Sequence, residues 1–306
     1  MVRPMTRVGI VRNPFSHRHN RGRSLEAETS GEILIAITDT TDAIDHALDA
    51  FAAARIDLLA IDGGDGTIRE VLSRAPEVFG GRMPRLTVLP NGKTNALALD
   101  LYEGRTWSLG AALNPSSGRL KTRRPLELWR AGAASPELRG FILGTGAFVR
   151  AIQLAQKTHQ LGAFDNLAVG LTLAGAMGQA FFGSARNPWR AGEPIDLGGA
   201  MPTGAATTLL LASTLKRMPM GFKPFGELRD GLKVLTVDAP AHRLARAFPV
   251  VMSGRDEPWL AEAGYRRADL ESFHLALAGD LVLDGEIYSG GEWEVRAGAP
   301  LEFLVP

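Results

Sequence analysis

The densest group of residues with chemical potential is the hexapeptide 62–67, Asp-Gly-Gly-Asp-Gly-Thr, which follows the apolar run 56–61 and precedes a predicted helix. Glycines let the backbone turn sharply with its N–H groups free, and the following helix N-terminus carries partial positive charge. Such a turn can bind a phosphate, and Asp65 within it could act through a divalent cation. An ordinary glycine-rich turn between a strand and a helix is the alternative interpretation.

A second candidate turn is residues 89–95, Leu-Pro-Asn-Gly-Lys-Thr-Asn. It resembles the end of a Walker P-loop, but Thr87 occupies the position five residues before Gly92 where that motif needs a glycine. Gly92, the cation of Lys93 and a helix predicted to begin at Asn95 still form a geometry that suits a phosphate.

Two carboxylates near the C-terminus, Asp284 and Glu286, lie two residues apart. In an extended backbone both side chains would face the same side. Phosphoryl transfer to an alcohol needs aligned phosphates, Mg²⁺ to neutralise charge and a carboxylate near the attacking hydroxyl. Because Asp-Gly is also a favoured hairpin turn, a polar hairpin tip is the alternative interpretation.

Composition narrows the class of protein. The chain has 306 residues with 34 Lys+Arg against 33 Asp+Glu, and at ~150 residues per domain this length predicts two domains. The near-neutral charge does not indicate a nucleic-acid binder, and we predict no nucleic-acid partner. The absence of cysteine excludes disulfides, thiol nucleophiles and thiolate metal sites. No long apolar run follows Arg3 and Arg7, so we expect a cytoplasmic protein without a signal peptide.

Residues 1–100 alternate β-branched runs with helical patterns, which predicts a parallel sheet covered by helices. Thr40 or Thr41 can cap the first helix, whose Ile44, Leu48 and Phe51 share one face. The predicted strands are 7–11, 33–37, 56–61 and 86–89, and two further helices are predicted at 67–73 and 95–101.

From about residue 119 the pattern changes to short strands separated by Gly and Pro, which predicts a mainly antiparallel second domain. We predict domains at 1–118 and 119–306, with the crossing at 113–122. The predicted strands are 126–130, 140–143, 207–213, 232–237, 272–278, 281–283, 293–296 and 301–305, and the predicted helices are 147–159, 165–182 and 242–252.

Two segments bear on membrane contact. The apolar stretch 167–182 is shorter than the ~20 residues of a spanning helix, which disfavours a membrane span. Of the other two interpretations, a buried core helix is favoured over a helix lining a lipid-accessible groove. The basic loop 16–23 could bind ATP phosphates or anionic headgroups, or be a solvated loop. Peripheral contact with the inner membrane face is therefore an open alternative, as is a homodimer.

The sequence contains five short motifs in this order: Asn13-Pro14, the turns 63–67 and 90–95, Asp230-Gly231-Leu232 and Asp284-Gly285-Glu286. Their order and spacing resemble those of the diacylglycerol kinase and sphingosine kinase catalytic family. The glycine turn alone would also suit NAD kinases, but the first and last motifs favour the lipid branch.

The resemblance implies an N-terminal three-layer α/β nucleotide-binding domain, a C-terminal β-sandwich domain, and ATP and Mg²⁺ as cofactors. It makes Asp284 the general base, Glu286 its acidic partner and Asp65 a further catalytic carboxylate, with Asp230 and Asp65 as metal ligands. The implied cofactor-binding residues are Asn13, Ser16, Thr38, Gly63, Gly64, Asp65, Gly66, Thr67, Gly92 and Asn95, and the charge of Lys93 adds that residue to the predicted set.

The leading hypothesis is an ATP-dependent kinase of a lipid alcohol, either diacylglycerol-like or sphingoid-like. Lys93 stands where the family usually has Thr or Ser, and Ala96 where the diacylglycerol kinase branch has Asp. These departures motivate one alternative, a nucleotide-binding regulatory protein without transfer activity. A kinase of a soluble alcohol is the other.

Overall fold

The computed structural model describes residues 7–15, 32–113, 118–160 and 191–306, and its contacts divide the chain into two compact units. The first unit comprises Met1–Pro125, Glu137–Gly140 and Gly298–Pro306, and the second comprises Leu126–Pro136 and Phe141–Ala297. The sequence assigned 119–306 to the second domain, whereas these contacts group 119–125, 137–140 and 298–306 with the first unit.

The first unit contains a six-stranded sheet in the order β2-β1-β3-β4-β17-β5, in which only β5 runs antiparallel to its neighbour. The central strand β3 is buried along its whole length, as a parallel strand covered on both faces should be. The strands are β1 Arg7–Arg12, β2 Glu32–Ile37, β3 Leu58–Gly63, β4 Arg85–Pro90, β5 Arg119–Arg123 and β17 Leu301–Val305.

In the part of this unit that the structure describes, four helices accompany the sheet, which confirms the predicted α/β class. The hydroxyl of Thr40 accepts a hydrogen bond from the N–H of Ala43 at 3.2 Å and caps the first helix, as predicted. The helices are α1 Thr41–Ala53, α2 Asp65–Phe79, α3 Ala96–Tyr102 and α4 Leu109–Leu113, and a 3₁₀ turn spans Gly80–Arg82.

Helix α2 is longer than the predicted 67–73 and contains Pro76. A short strand of the first unit, β7 (Leu138–Gly140), packs against it. The guanidinium of Arg139 forms a two-pronged ion pair with Glu77 at 2.8 and 2.7 Å, and the N–H of Arg139 donates to Ser73 Oγ. The additional turns are therefore held by a partner distant in sequence.

The strand at 301–305 was predicted correctly, but its expected place among the strands of the second domain was wrong. Strand β17 pairs with β4 in parallel and with β5 antiparallel, inside the first sheet. Phe303 is fully buried there, and Thr87 Oγ1 donates to the carbonyl oxygen of Leu304 at 3.1 Å. An apolar strand pattern indicates burial without indicating which sheet supplies the partner.

The second unit is built on antiparallel sheets, as predicted. One sheet has the order β12-β11-β10-β8-β14-β15, and another contains β6-β16-β13-β9. Their bounds are β6 Leu126–Trp129, β8 Ile142–Gly146, β9 Ile195–Asp196, β10 Thr207–Ser213, β11 Leu232–Asp238, β12 Tyr265–Leu270, β13 Ser272–Leu277, β14 Leu281–Leu283, β15 Glu286–Tyr288 and β16 Gly291–Ala297. The helices are α5 Ala147–Gln160, α6 Leu244–Ser253 and α7 Pro258–Glu262.

The predicted strand 140–143 is in fact the junction of two strands. Strand β7 ends at Gly140 and β8 begins at Ile142, and the intervening N–H of Phe141 donates to the carboxylate of Asp284. The predicted helix 165–182 and the basic loop 16–23 lie outside the described residues. Among the residues that are described, no helix has the length and apolar character needed to cross a membrane.

The position of β17 yields a stability prediction. We expect Phe303→Ala to lower the free energy of unfolding by about 3–5 kcal/mol, because it opens a cavity between β4 and β5. The neighbouring Glu302→Ala is the matched control. Its side chain is 59% exposed and lies 3.8 Å from Arg85, so its removal should cost at most about 1 kcal/mol. Denaturant unfolding measures both, and equal losses would contradict the placement of β17.

Candidate functional site

The carboxyl ends of β1 and β3 mark the point at which the sheet changes winding direction. The chain passes from β1 to β2 on one side, and β3 pairs with β1 on the other. Open α/β sheets bind ligands outside the carboxyl ends of their strands at such a switch point. Asn13 follows β1 and Gly64 follows β3, so the Asn13-Pro14 motif and the first predicted turn lie at this point.

A cavity of about 390 Å³ opens at this edge of the first unit. The lining of this cavity includes Asp39, Arg69 and Glu70, which the sequence analysis did not predict. Of the predicted cofactor-binding residues, the lining includes Asn13, Thr38, Gly64, Gly66, Thr67 and Gly92.

Three glycines of the two turns are required by close packing within the protein. A Cβ on Gly64 would lie 3.0 Å from the Cα of Gly92, and a Cβ on Gly92 would lie 2.6 Å from the Cα of Gly64. A Cβ on Gly63 would lie 2.6 Å from the side chain of Thr67. The backbones of the two turns therefore touch, and only glycine permits the contact.

Gly66 differs from these three, because a Cβ built on it would meet no atom within 4 Å. Gly66 is the second residue of α2 and lines the cavity. The open space therefore lies at the N-terminus of a 15-residue helix, where unpaired N–H groups and the helix dipole favour an anion. This cradle fits a phosphate group.

The carboxylate of Asp62 joins the ends of three strands. It accepts a hydrogen bond from Arg12 Nε at 2.7 Å and another from the side-chain amide of Asn91, which follows β4. Two main-chain hydrogen bonds, both 3.1 Å, join the same strand ends. The N–H of Asn13 donates to the Asp62 carbonyl, and the N–H of Asn91 donates to the Gly63 carbonyl.

Asn13 and Thr38 are held at the wall of the cavity. Asn13 Nδ2 donates to Thr67 Oγ1 at 3.1 Å, and its Oδ1 accepts from the N–H of Phe15. Thr38 is buried, and its N–H donates to the carbonyl of Arg12 at 2.9 Å.

Asn95 closes the second turn. Its side-chain Oδ1 accepts from the N–H of Gly92 and its Nδ2 donates to the carbonyl of Gly92, both at 2.8 Å. Its own backbone is left-handed, with φ 51°, a conformation that asparagine tolerates better than most residues. Asn95 therefore shapes the turn, and its amide is engaged with Gly92. Lys93 is exposed, and Ser16 lies outside the described residues.

Asp65 is directed to the N-terminus of α3. Burial raises the pKa of its carboxyl, and hydrogen bonds from the N–H groups of Ala96, Asn95 and Leu97 oppose the shift without cancelling it. Asp65 is not among the cavity-lining residues. Its contacts are those of a carboxylate that caps one helix from the first turn of another.

Asp284 lies in the second unit, in the two-residue hairpin between β14 and β15. Asp284 and Gly285 both have positive φ, 49° and 85°, and Leu283 pairs with Glu286 across the turn. The expectation that Asp284 and Glu286 face one side of an extended strand was therefore wrong. The Asp284 carboxylate accepts from the N–H groups of Phe141 and Ile142, at 3.0 and 2.8 Å, and Glu286 is exposed.

Asp230 is exposed in the second unit, 3.9 Å from Lys216 Nζ. Within the described ranges no three His, Asp or Glu side chains cluster in a way that could hold a metal ion. The metal ligands predicted at Asp230 and Asp65 therefore stay predictions.

Comparison with known families supports the sequence resemblance. Residues 8–116 match the family model for the diacylglycerol kinase catalytic domain, a segment that contains both turns and the cavity. The resemblance to the lipid kinase catalytic family is thereby confirmed, and it supports a phosphotransferase of the lipid kinase type. No curated protein matches the sequence.

Solved structures from Bacillus anthracis str. Sterne share the fold. One, provisionally named a diacylglycerol kinase, has a TM-score of 0.66 at 15% identity and covers 100% of this chain and 98% of its own. A second, named a diacylglycerol kinase, has a TM-score of 0.61 at 12% identity, and the match covers 98% of this chain and 96% of the other. A third, provisionally named a diacylglycerol kinase, has a TM-score of 0.65 at 15% identity, and the match covers 98% of this chain and 97% of the other. At these identities the likeness concerns the fold.

The open space at Gly66 can be tested against ligand binding. We expect Gly66→Ala to keep or raise the free energy of unfolding, because alanine is the better helix former by ~1 kcal/mol. It should weaken MgATP binding by about tenfold or more, because the new methyl group occupies the space a phosphate needs. Titration calorimetry measures the affinity.

Gly110→Ala in α4 is the matched control, since a Cβ there also meets no atom within 4 Å and Gly110 does not line the cavity. It should leave the affinity unchanged. Wild-type affinity in Gly66→Ala would contradict a phosphate site at this helix terminus.

The raised pKa of Asp65 yields a pH prediction. The folded protein binds the proton of the Asp65 carboxyl more tightly than the unfolded chain does. Ionisation of Asp65 therefore lowers the free energy of unfolding when the pH is above the folded pKa. This loss is relieved as the pH falls. Asp65→Asn removes this titration. The free energy of unfolding of wild type, relative to the variant, should therefore increase between about pH 7 and pH 4.

Denaturant unfolding at several pH values measures the difference, with the exposed first-turn Asp42→Asn of α1 as the control for loss of a carboxylate. A difference that shrinks toward acid would indicate a carboxyl whose pKa is lowered by its partners, contrary to this prediction.

Proposed function

We propose that this chain, a lipid kinase-type protein whose residues 8–116 match the diacylglycerol kinase catalytic domain, transfers a phosphoryl group from ATP to the hydroxyl of a lipid alcohol. The observation that carries the proposal is the open space at Gly66, at the N-terminus of α2 and at the switch point of the sheet. Phosphoryl transfer depends mainly on positioning and charge stabilisation, and the first unit supplies both.

The nucleotide phosphates bind to N–H groups at the start of α2, among Gly64, Gly66 and Thr67. Asn13 orients the Thr67 hydroxyl, and the Gly64–Gly92 contact fixes the second turn beside the first. Lys93 extends into solvent from that turn and supplies a mobile cation for the terminal phosphate. Magnesium, when bound with the nucleotide, neutralises phosphate charge.

Asp284 acts as the general base in this proposal. Two backbone N–H groups, of Phe141 and Ile142, donate to its carboxylate and orient it. Asp284 accepts the proton of the acceptor hydroxyl as the oxygen attacks the terminal phosphorus, and ADP leaves with the electron pair of the broken P–O bond.

Incubation with labelled ATP and a panel of diacylglycerols, sphingoid bases and soluble alcohols tests the function. We expect label transfer to a lipid alcohol. ATP binding without transfer to any acceptor would favour the regulatory alternative, and transfer only to soluble alcohols would replace the lipid substrate.

We expect Asp284→Asn to lower the transfer rate by ~10²-fold or more, because a positioned base is removed. MgATP affinity should stay nearly unchanged. Glu286→Gln, in the same hairpin and exposed, should change the rate much less. Equal loss of rate in both variants, or loss of ATP binding in Asp284→Asn, would contradict the assignment of the base.

A further inference from the structure

An exposed apolar turn projects from the second unit at residues 219–222, here called the apolar tip. Met220 is 82% exposed and Phe222 is 37% exposed. Leu228, six residues further on, is also 37% exposed. Large apolar side chains exposed together mark an interaction surface more often than scattered ones do.

The base of the tip is anchored. Phe225 is buried, the N–H of Lys223 donates to the Met252 carbonyl at 2.8 Å, and Arg267 Nε donates to the Pro224 carbonyl at 2.8 Å. Pro219–Gly221 forms a 3₁₀ turn that the N–H of Phe222 closes onto the Pro219 carbonyl. The tip is therefore held outward by its base, although burial of Met220 and Phe222 would be favourable.

The charged residues of the segment that carries the tip are all cationic. Lys216, Arg217 and Lys223 lie within four residues of Met220, and the sequence contains no acidic residue between Asp196 and Glu227. Lys223 is exposed, and the only carboxylate that the described contacts give Lys216 is that of Asp230, at 3.9 Å on the surface. Two exposed apolar side chains on a segment whose charged residues are cations complement an anionic lipid surface, where headgroups attract the cations and the interface accepts the apolar groups.

We propose that the apolar tip docks this protein on an anionic bilayer, with Met220 and Phe222 entering the interface and Lys216, Arg217 and Lys223 binding headgroup phosphates. The proposal rests on the proposed function for its choice of a membrane over a protein partner, since a lipid alcohol is dissolved in a bilayer. Docking itself requires no catalysis, so the docking proposal and the proposed kinase function can fail separately.

Vesicle co-sedimentation of the full chain, without nucleotide, tests the docking. Vesicles of equal phosphatidylglycerol and phosphatidylcholine should bind the protein more tightly than pure phosphatidylcholine, and salt should weaken the binding. Met220→Ser/Phe222→Ser should weaken binding to the mixed vesicles by about tenfold or more. Leu120→Ser removes a 39% exposed apolar side chain of the first unit and should have little effect.

The cations need their own variants. Each of Lys216→Ala, Arg217→Ala and Lys223→Ala should weaken binding to the mixed vesicles by roughly fivefold at low salt. Arg82→Ala, an exposed arginine of the first unit, is the matched control and should have little effect.

Because the chain has no cysteine, Met220→Cys can carry a single environment-sensitive fluorophore. Its emission should shift to the blue on mixed vesicles, and that of labelled Leu120→Cys should not. Vesicle binding that is unchanged in Met220→Ser/Phe222→Ser, or no shift at position 220, would overturn the proposal. Capture by vesicles without label transfer to any lipid would leave docking supported and the proposed kinase function refuted.

Discussion

The buried carboxylate of Asp62 is the interaction on which the candidate site depends. Removing a carboxylate from water is costly unless charged or polar partners replace the lost hydration, and here Arg12 of β1 and Asn91 after β4 replace it. The ends of three neighbouring strands are thereby fixed to one another. The two glycine turns start from the ends of β3 and β4. The contact between Gly64 and Gly92 therefore follows from the positions in which Asp62 holds these strand ends.

Much of the first unit could be predicted because its signals are local. The Thr40 cap, the shared face of Ile44, Leu48 and Phe51, and the apolar runs of β1, β3 and β4 each follow from a few adjacent residues. The two glycine turns could be predicted for the same reason: each lies between a buried strand and a helix, and that order is visible in the sequence.

The remainder depends on partners distant in sequence. The sequence pattern does not distinguish Gly66 from Gly92. In the structure Gly66 faces open space, whereas Gly92 touches the backbone of the first turn. Asp65 lies in a turn suited to a metal-bound phosphate, but its carboxylate accepts hydrogen bonds from backbone N–H groups at the start of a helix thirty residues later. At Asp284 the sequence offered two interpretations, an extended strand and a hairpin tip, and the positive φ of both turn residues selects the hairpin.

The insertion of β17 between β4 and β5 sets an order of events during synthesis. The first sheet lacks an internal strand until residues 301–305 have left the ribosome, and by then the residues 126–297 of the second unit have already been made. At roughly 5–20 residues per second, this interval is on the order of ten seconds. During that time Leu86 and Leu120, on the two strands that flank the gap, await their partners Phe303 and Leu304. The nascent first unit is therefore a candidate for chaperone protection until its last strand arrives.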